Sequence, residues 1–256
     1  MGFPVTGGRN WSPAKRRAAR NLRRPVVLNA GMPHKTLTAA CVVLACAVAP
    51  AAASARIVEV GQAATEAVPT CPVNPCLAVS RTTGYQAKVV DSRDTYVVPA
   101  DGKIVAFTVR LGAPNRRQIN FFEDNFGKAS AGLSVLRRGE RLFGRVVAAS
   151  PIFQLSDYFG QTVQFPLDRS LSVEKGNIIA LTVPTWAPAL SALVEDGSSW
   201  RASRQLNGCD NTDRQTAQTS VGALTQYRCL YRARLTYTAT LVTNPKPNKK
   251  PKAPAT

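Results

Sequence analysis

Between residues 233 and 241 apolar and polar residues alternate without a break: Ala233, Leu235, Tyr237, Ala239 and Leu241 against Arg234, Thr236, Thr238 and Thr240. A period of two sets the first group on one face of an extended chain and the second on the other, so this segment buries one side only as a β-strand. The same period recurs at Val105, Phe107, Val109 and Leu111. Residues 177–183 are apolar on both faces, as in a central strand of a sandwich. Turn signals punctuate these runs at Pro99-Ala100-Asp101-Gly102 and Glu174-Lys175-Gly176-Asn177. Strand-forming residues on both sides of Arg138-Gly139-Glu140 predict a hairpin, with Gly139 at positive φ. No ten-residue window carries a helical period, and residues 121–126 (Phe-Phe-Glu-Asp-Asn-Phe) read as a loop. Short strands about ten residues apart predict an all-β sandwich or barrel.

Two segments sharpen the fold. Tyr96-Val-Val-Pro-Ala-Asp-Gly-Lys-Ile and the stretch from Phe165-Pro-Leu-Asp-Arg through Val173-Glu-Lys-Gly-Asn-Ile resemble the "vP.dG.I" and "l.V..Gd.I.l" patterns of jelly-roll domains. Residues 71–242 also look like uncharacterised exported proteins of high-GC bacteria with this layout. The resemblance implies a jelly-roll-like antiparallel β-sandwich and no catalytic residues, because its motifs describe turns and strands. Residues 71–243 form the expected domain. Residues 56–70 are read as a flexible lead-in and 244–256 as a disordered Lys/Pro-rich tail. Two inserts break the β rhythm, at 184–200 and 205–220.

The other end of the chain carries an address. Residues 32–55 combine a short basic start, an uncharged and mostly apolar run of thirteen residues at 37–49 and an Ala53-Ser54-Ala55 cleavage motif. That is the layout of a secretory signal peptide, with Arg56 as the mature start. Thirteen residues are too short to span a bilayer core of about 30 Å, and no later stretch approaches that length, so no membrane span is expected. Residues 1–31, with seven Lys/Arg and no acid, are read as a basic leader upstream of a start at Met32. Val43-Leu44-Ala45-Cys46 is an imperfect lipobox, so lipid anchoring through Cys46 is the alternative to release.

Export reshapes the charge argument. The whole chain carries +18, but after residue 55 twenty-five Lys/Arg face fifteen acids, a net of +10. Lys246, Lys249, Lys250 and Lys252 lie in the last eleven residues. A mildly positive exported domain favours anionic envelope surfaces over nucleic acid. Cys71, Cys76, Cys209 and Cys229 are an even set for an oxidising compartment. Of the three pairings, Cys71–Cys76 with Cys209–Cys229 needs the least long-range geometry, and the spacings match no zinc pattern.

The sole histidine, His34, lies within the signal. Without it, Ser-His-Asp and Cys-His systems lack their base, and histidine-ligated metal sites lack ligands. A carboxylate-pair hydrolase using residues such as Glu123 and Glu195 is the enzyme alternative. A non-catalytic binding module is the favoured reading, for carbohydrate or an anionic wall polymer. Trp186 and Trp200 are its candidate stacking platforms, with Asp196 and Arg201 beside the second. A purely structural envelope protein is the third class. No cofactor is expected. Asp210 with Asp213, or Asp91 with Asp94, is the only suggestion of a structural calcium, and two carboxylates make a thin ligand set.

Overall fold

The computed structural model describes residues 54–192, 194–204, 206–210 and 215–245. The basic leader, most of the signal with Cys46, Asp213 and the tail lysines lie outside the described residues.

The first half of the chain contributes β1 (Ile57–Val60), β2 (Val79–Lys88), β3 (Gly102–Arg110), α1 (Arg116–Phe126), β4 (Ser130–Arg138), β5 (Phe143–Ala149) and β6 (Phe153–Gln154). Next come β7 (Thr162–Val173), β8 (Ile178–Ala187), β9 (Leu190–Ser191) and β10 (Ser199–Ala202). The chain closes with β11 (Leu224–Gln226), β12 (Cys229–Tyr231), β13 (Arg234–Leu235) and β14 (Tyr237–Thr243). The smaller sheet has the order β1-β14-β3-β7, and the larger runs β11-β5-β4-β8-β2-β10-β12, with β6 on β4. Both sheets are antiparallel throughout. The fold is the jelly-roll-like β-sandwich expected, stapled by Cys71–Cys76 (Cα–Cα 4.5 Å) and Cys209–Cys229 (5.4 Å).

The core lies between the sheets. Phe107, Val109, Ala239 and Leu241 of the smaller sheet meet Leu133, Val135, Ile179, Leu181 and Val183 of the larger, all essentially inaccessible. The central position of β8 explains its two apolar faces. Ile179 and Leu181 point into this core, while Ile178 and Ala180 belong to a second cluster with Leu136, Val146 and Tyr227 on the opposite face.

Five local departures have identifiable causes. In β3 the register shifts between Ile104 and Ala106, so Ile104 is buried and Val105 half-exposed; the bulge changes the phase of the alternation. The alternating run from Ala233 is not one strand, because it leaves β9 after Leu235 and joins β3 from Tyr237. The β4–β5 hairpin forms, but Gly139 is extended at φ −110° and positive φ falls on Arg141 and Leu142. The expected lead-in supplies β1, fastened to β14 where the Glu59 carboxylate accepts from the Thr238 and Thr240 hydroxyls at 2.5 and 2.9 Å.

The last departure is α1, where a loop was expected. Asn115 Oδ1 accepts from the Gln118 amide at 3.0 Å while Gln118 Oε1 accepts from the Asn115 amide at 2.9 Å, a reciprocal capping box. Ile119, Phe122 and Phe126, at i, i+3 and i+7, turn toward the core.

Candidate functional site

Trp186 lies on β8 rather than in a loop, fully buried, with the Phe122 ring stacked on it at 4.6 Å and its Nε1 donating to the Gly127 carbonyl at 2.9 Å. Trp200 lies on β10, 3% exposed and stacked on Tyr231 at 4.8 Å. Neither indole offers a face to a ligand; both are core side chains. Asp196 accepts from the Ser198 amide at 2.9 Å and faces Arg234 at 4.0 Å across a separate cleft of about 420 Å³. Burial tends to raise its carboxyl, but the Ser198 hydrogen bonds and the Arg234 charge outweigh this and hold it below the usual range. Arg234 is itself buried and donates to the Thr65 carbonyl and hydroxyl at 2.8 and 3.0 Å, so this pair ties the 61–67 segment to the sandwich.

Of the four sequence candidates, Arg201 alone opens onto a cationic cleft. Along β10 its neighbour Trp200 points into the core, so alternation sends Arg201 to the outer face of the larger sheet. Most of that face is sealed. Thr83, Thr182 and Ser134, on three adjacent strands, are linked hydroxyl to hydroxyl at 3.1 and 2.6 Å, and Gln218 caps them by donating its amide to Thr83 Oγ1 at 2.9 Å. Gln218 belongs to the 205–220 insert, whose Cys209 is joined to Cys229.

What stays open is a groove made of two adjoining clefts that share Ala87, Arg93 and Arg201. The wider one, about 790 Å³, is bordered by Lys88, Arg232 and Glu195. The narrower one, about 390 Å³, is bordered by Arg138 and Asp94, with Tyr85 and Tyr227 lining it. Five cations therefore meet two carboxylates. Lys88 is drawn to Asp91 at 3.4 Å, which also accounts for one of the aspartates considered for calcium. Among the described residues, Arg93, Arg138, Arg201 and Arg232 form no ion pair. Arg201 is held in place by donating to the Tyr227 and Arg228 carbonyls, both at 3.2 Å. The half-exposed Phe143 and Leu230 give the groove an apolar rim.

The two tyrosines respond to their surroundings. Burial raises the Tyr85 phenol, and the Arg201 and Arg138 charges pull it only partly back. Tyr227 is raised further, by burial and by the neighbouring Tyr85. Both are therefore neutral O–H donors at physiological pH. Their rings sit 5.4 Å apart, and the Tyr227 hydroxyl is buried with no hydrogen-bond partner among the described residues. Gly144 allows this ring its place, since a Cβ there would lie 2.8 Å from Tyr227 Cε2.

The carboxylates considered for hydrolysis do not converge. Glu123 sits on α1 and is paired with Lys128, whereas Glu195 borders the wide cleft, whose lining does not include Glu123. Arrayed guanidinium groups with neutral phenol donors can bind and orient anions. No protein-family model, curated protein or solved structure matches this chain.

Proposed function

We propose that this protein is a non-catalytic binding protein of an oxidising, extracytoplasmic compartment, and that the groove on the larger sheet takes an extended polyanion such as an anionic cell-envelope polymer. The observation that carries this reading is the set of four arginines, Arg93, Arg138, Arg201 and Arg232, left without ion pairs along one open groove. Most other arginines among the described residues also form no ion pair; these four differ in being gathered by two adjoining clefts that share Arg93 and Arg201. Here they line up and wait for a ligand's charge. The two disulfides support the compartment, because such bonds persist outside reducing cytosol. No helix among the described residues is long and apolar enough to cross a membrane.

Retention of the full chain on immobilised polyphosphate and poly-L-glutamate tests the reading. Binding is expected to weaken as salt rises, since the Debye length shrinks from about 10 Å at 0.1 M to about 3 Å at 1 M. The double variant Arg93→Glu/Arg232→Glu should lose most of the retention. Unchanged retention in that variant overturns the groove as the site. Loss on deleting residues 246–256, with the double variant unaffected, assigns binding to the terminal lysines instead.

A further inference from the structure

We infer that the narrow end of the groove is a phosphoryl-binding pocket, and that it makes the protein favour phosphate-bearing polyanions over carboxylate or sulfate ones. This rests on the groove being the binding site. Three guanidinium groups, Arg93, Arg138 and Arg201, border this pocket, and Tyr85 and Tyr227 line it. Arg201 is pre-oriented by its two backbone contacts, so little side-chain freedom is lost when an anion docks. One carboxylate, Asp94, shares the border and stays exposed.

Of the buried polar atoms without a hydrogen-bond partner among the described residues, the Tyr227 hydroxyl is the one on a side chain that lines this pocket. Buried hydroxyls almost always find a partner, and the packing of the Tyr227 ring on Tyr85 at 5.4 Å does not involve this one. A donor kept there at the cost of desolvation serves an acceptor that arrives from outside. Its neighbour Tyr85 presents a second neutral donor. A terminal phosphoryl group suits this set because it carries about −1.5 to −2 charges at neutral pH on three strong acceptor oxygens. A carboxylate has two acceptor oxygens and one charge, and a sulfate ester one charge. Guanidinium forks match phosphate oxygens two at a time, and the phenols are left to satisfy the third. At about 390 Å³ the pocket is larger than one phosphoryl group, so it also accepts the first atoms of what bears it.

Calorimetric titration of the full chain with polyphosphate, inorganic phosphate, poly-L-glutamate and dextran sulfate tests this, alongside Tyr227→Phe and Tyr85→Phe. Wild type is expected to bind polyphosphate about tenfold more tightly than length-matched polyglutamate or dextran sulfate, the size of effect that one or two charge-assisted hydrogen bonds give. Tyr227→Phe should erase that preference while changing the other two affinities less than about twofold. Because the hydroxyl has no partner in the free protein, the variant should melt no lower than wild type, and phosphate should raise the melting temperature of wild type alone. Equal affinity for all three polymers, or a preference that survives Tyr227→Phe, overturns the pocket and leaves the groove standing. Phosphate binding that depends on Tyr227 without any polymer retention sinks the groove and upholds the pocket. No binding of any probe sinks both.

Discussion

Trp200 stacks on Tyr231 with ring centroids 4.8 Å apart, and on the other side Gly84 lies so close that a Cβ would come within 2.7 Å of the indole. The indole is clamped between strands β2 and β12, which flank β10 in the sheet. Its burial is the condition for the groove, because the alternation that turns Trp200 inward turns Arg201 outward.

Gly84→Ala should therefore destabilise the fold by about 1–3 kcal/mol through overpacking against a ring that cannot retreat. Thermal or urea unfolding measures the loss. A neutral result would mean that the indole has room to shift.

Arg93→Glu and Arg232→Glu should behave in the opposite way. Both side chains are exposed and unpaired among the described residues, so each variant should keep its stability within about 0.5 kcal/mol while polyanion retention falls. Parallel unfolding and retention measurements separate the two quantities.

Removing the second disulfide tests how the outer face is sealed. Cys209→Ser/Cys229→Ser opens a loop of twenty residues' separation, which the chain-entropy model values at roughly 3 kcal/mol. Amide exchange at Gln218, whose N–H caps the Thr83 hydroxyl, should accelerate more than exchange in β8. Equal acceleration at both sites would show that the insert is held by something else.

Asp196 gives a pH dependence of known sign. Its carboxyl titrates below its ordinary value of 3.8, so it binds protons less readily folded than unfolded. The stability it contributes is present at neutral pH and is lost as pH falls through that folded value. With 28% of the side chain exposed, the contribution is below about 1 kcal/mol. Asp196→Asn should be slightly less stable at pH 7 and should lose less than wild type between about pH 5 and pH 2. Parallel acid curves for the two proteins would contradict this.

The strands were legible because burial on one side writes a period of two, and the short disulfide loops because four cysteines allow few economical pairings. The helix was missed for a local reason. Its apolar positions are only Ile119, Phe122 and Phe126, and the exposed Phe121 beside them blurs the period. The Asn115–Gln118 capping pair was the available signal. The tryptophans were misplaced because Pro184 and the Gly197-Ser-Ser run look like loop, although strands carry both indoles into the core. The groove had no linear signature. Lys88, Arg93, Arg138, Arg201 and Arg232 come from separate strands and turns, and the strand order β4-β8-β2-β10-β12 gathers them.

The pairing of β1 with β14 brings Arg56 and Thr243 into mutual backbone contact, with 2.9 Å from the Thr243 amide to the Arg56 carbonyl. β14 is inserted between β1 and β3, so neither of those strands has its inner neighbour until the final seven-residue strand is in place. The smaller sheet therefore stays open until β14 pairs with strands that precede it by most of the described residues. Closure is then a single late event of very long sequence range, slow in the way that non-local strand pairing is slow. Loss of even a few residues from β14 would leave an unfinished sheet with two bare edges rather than a shortened protein.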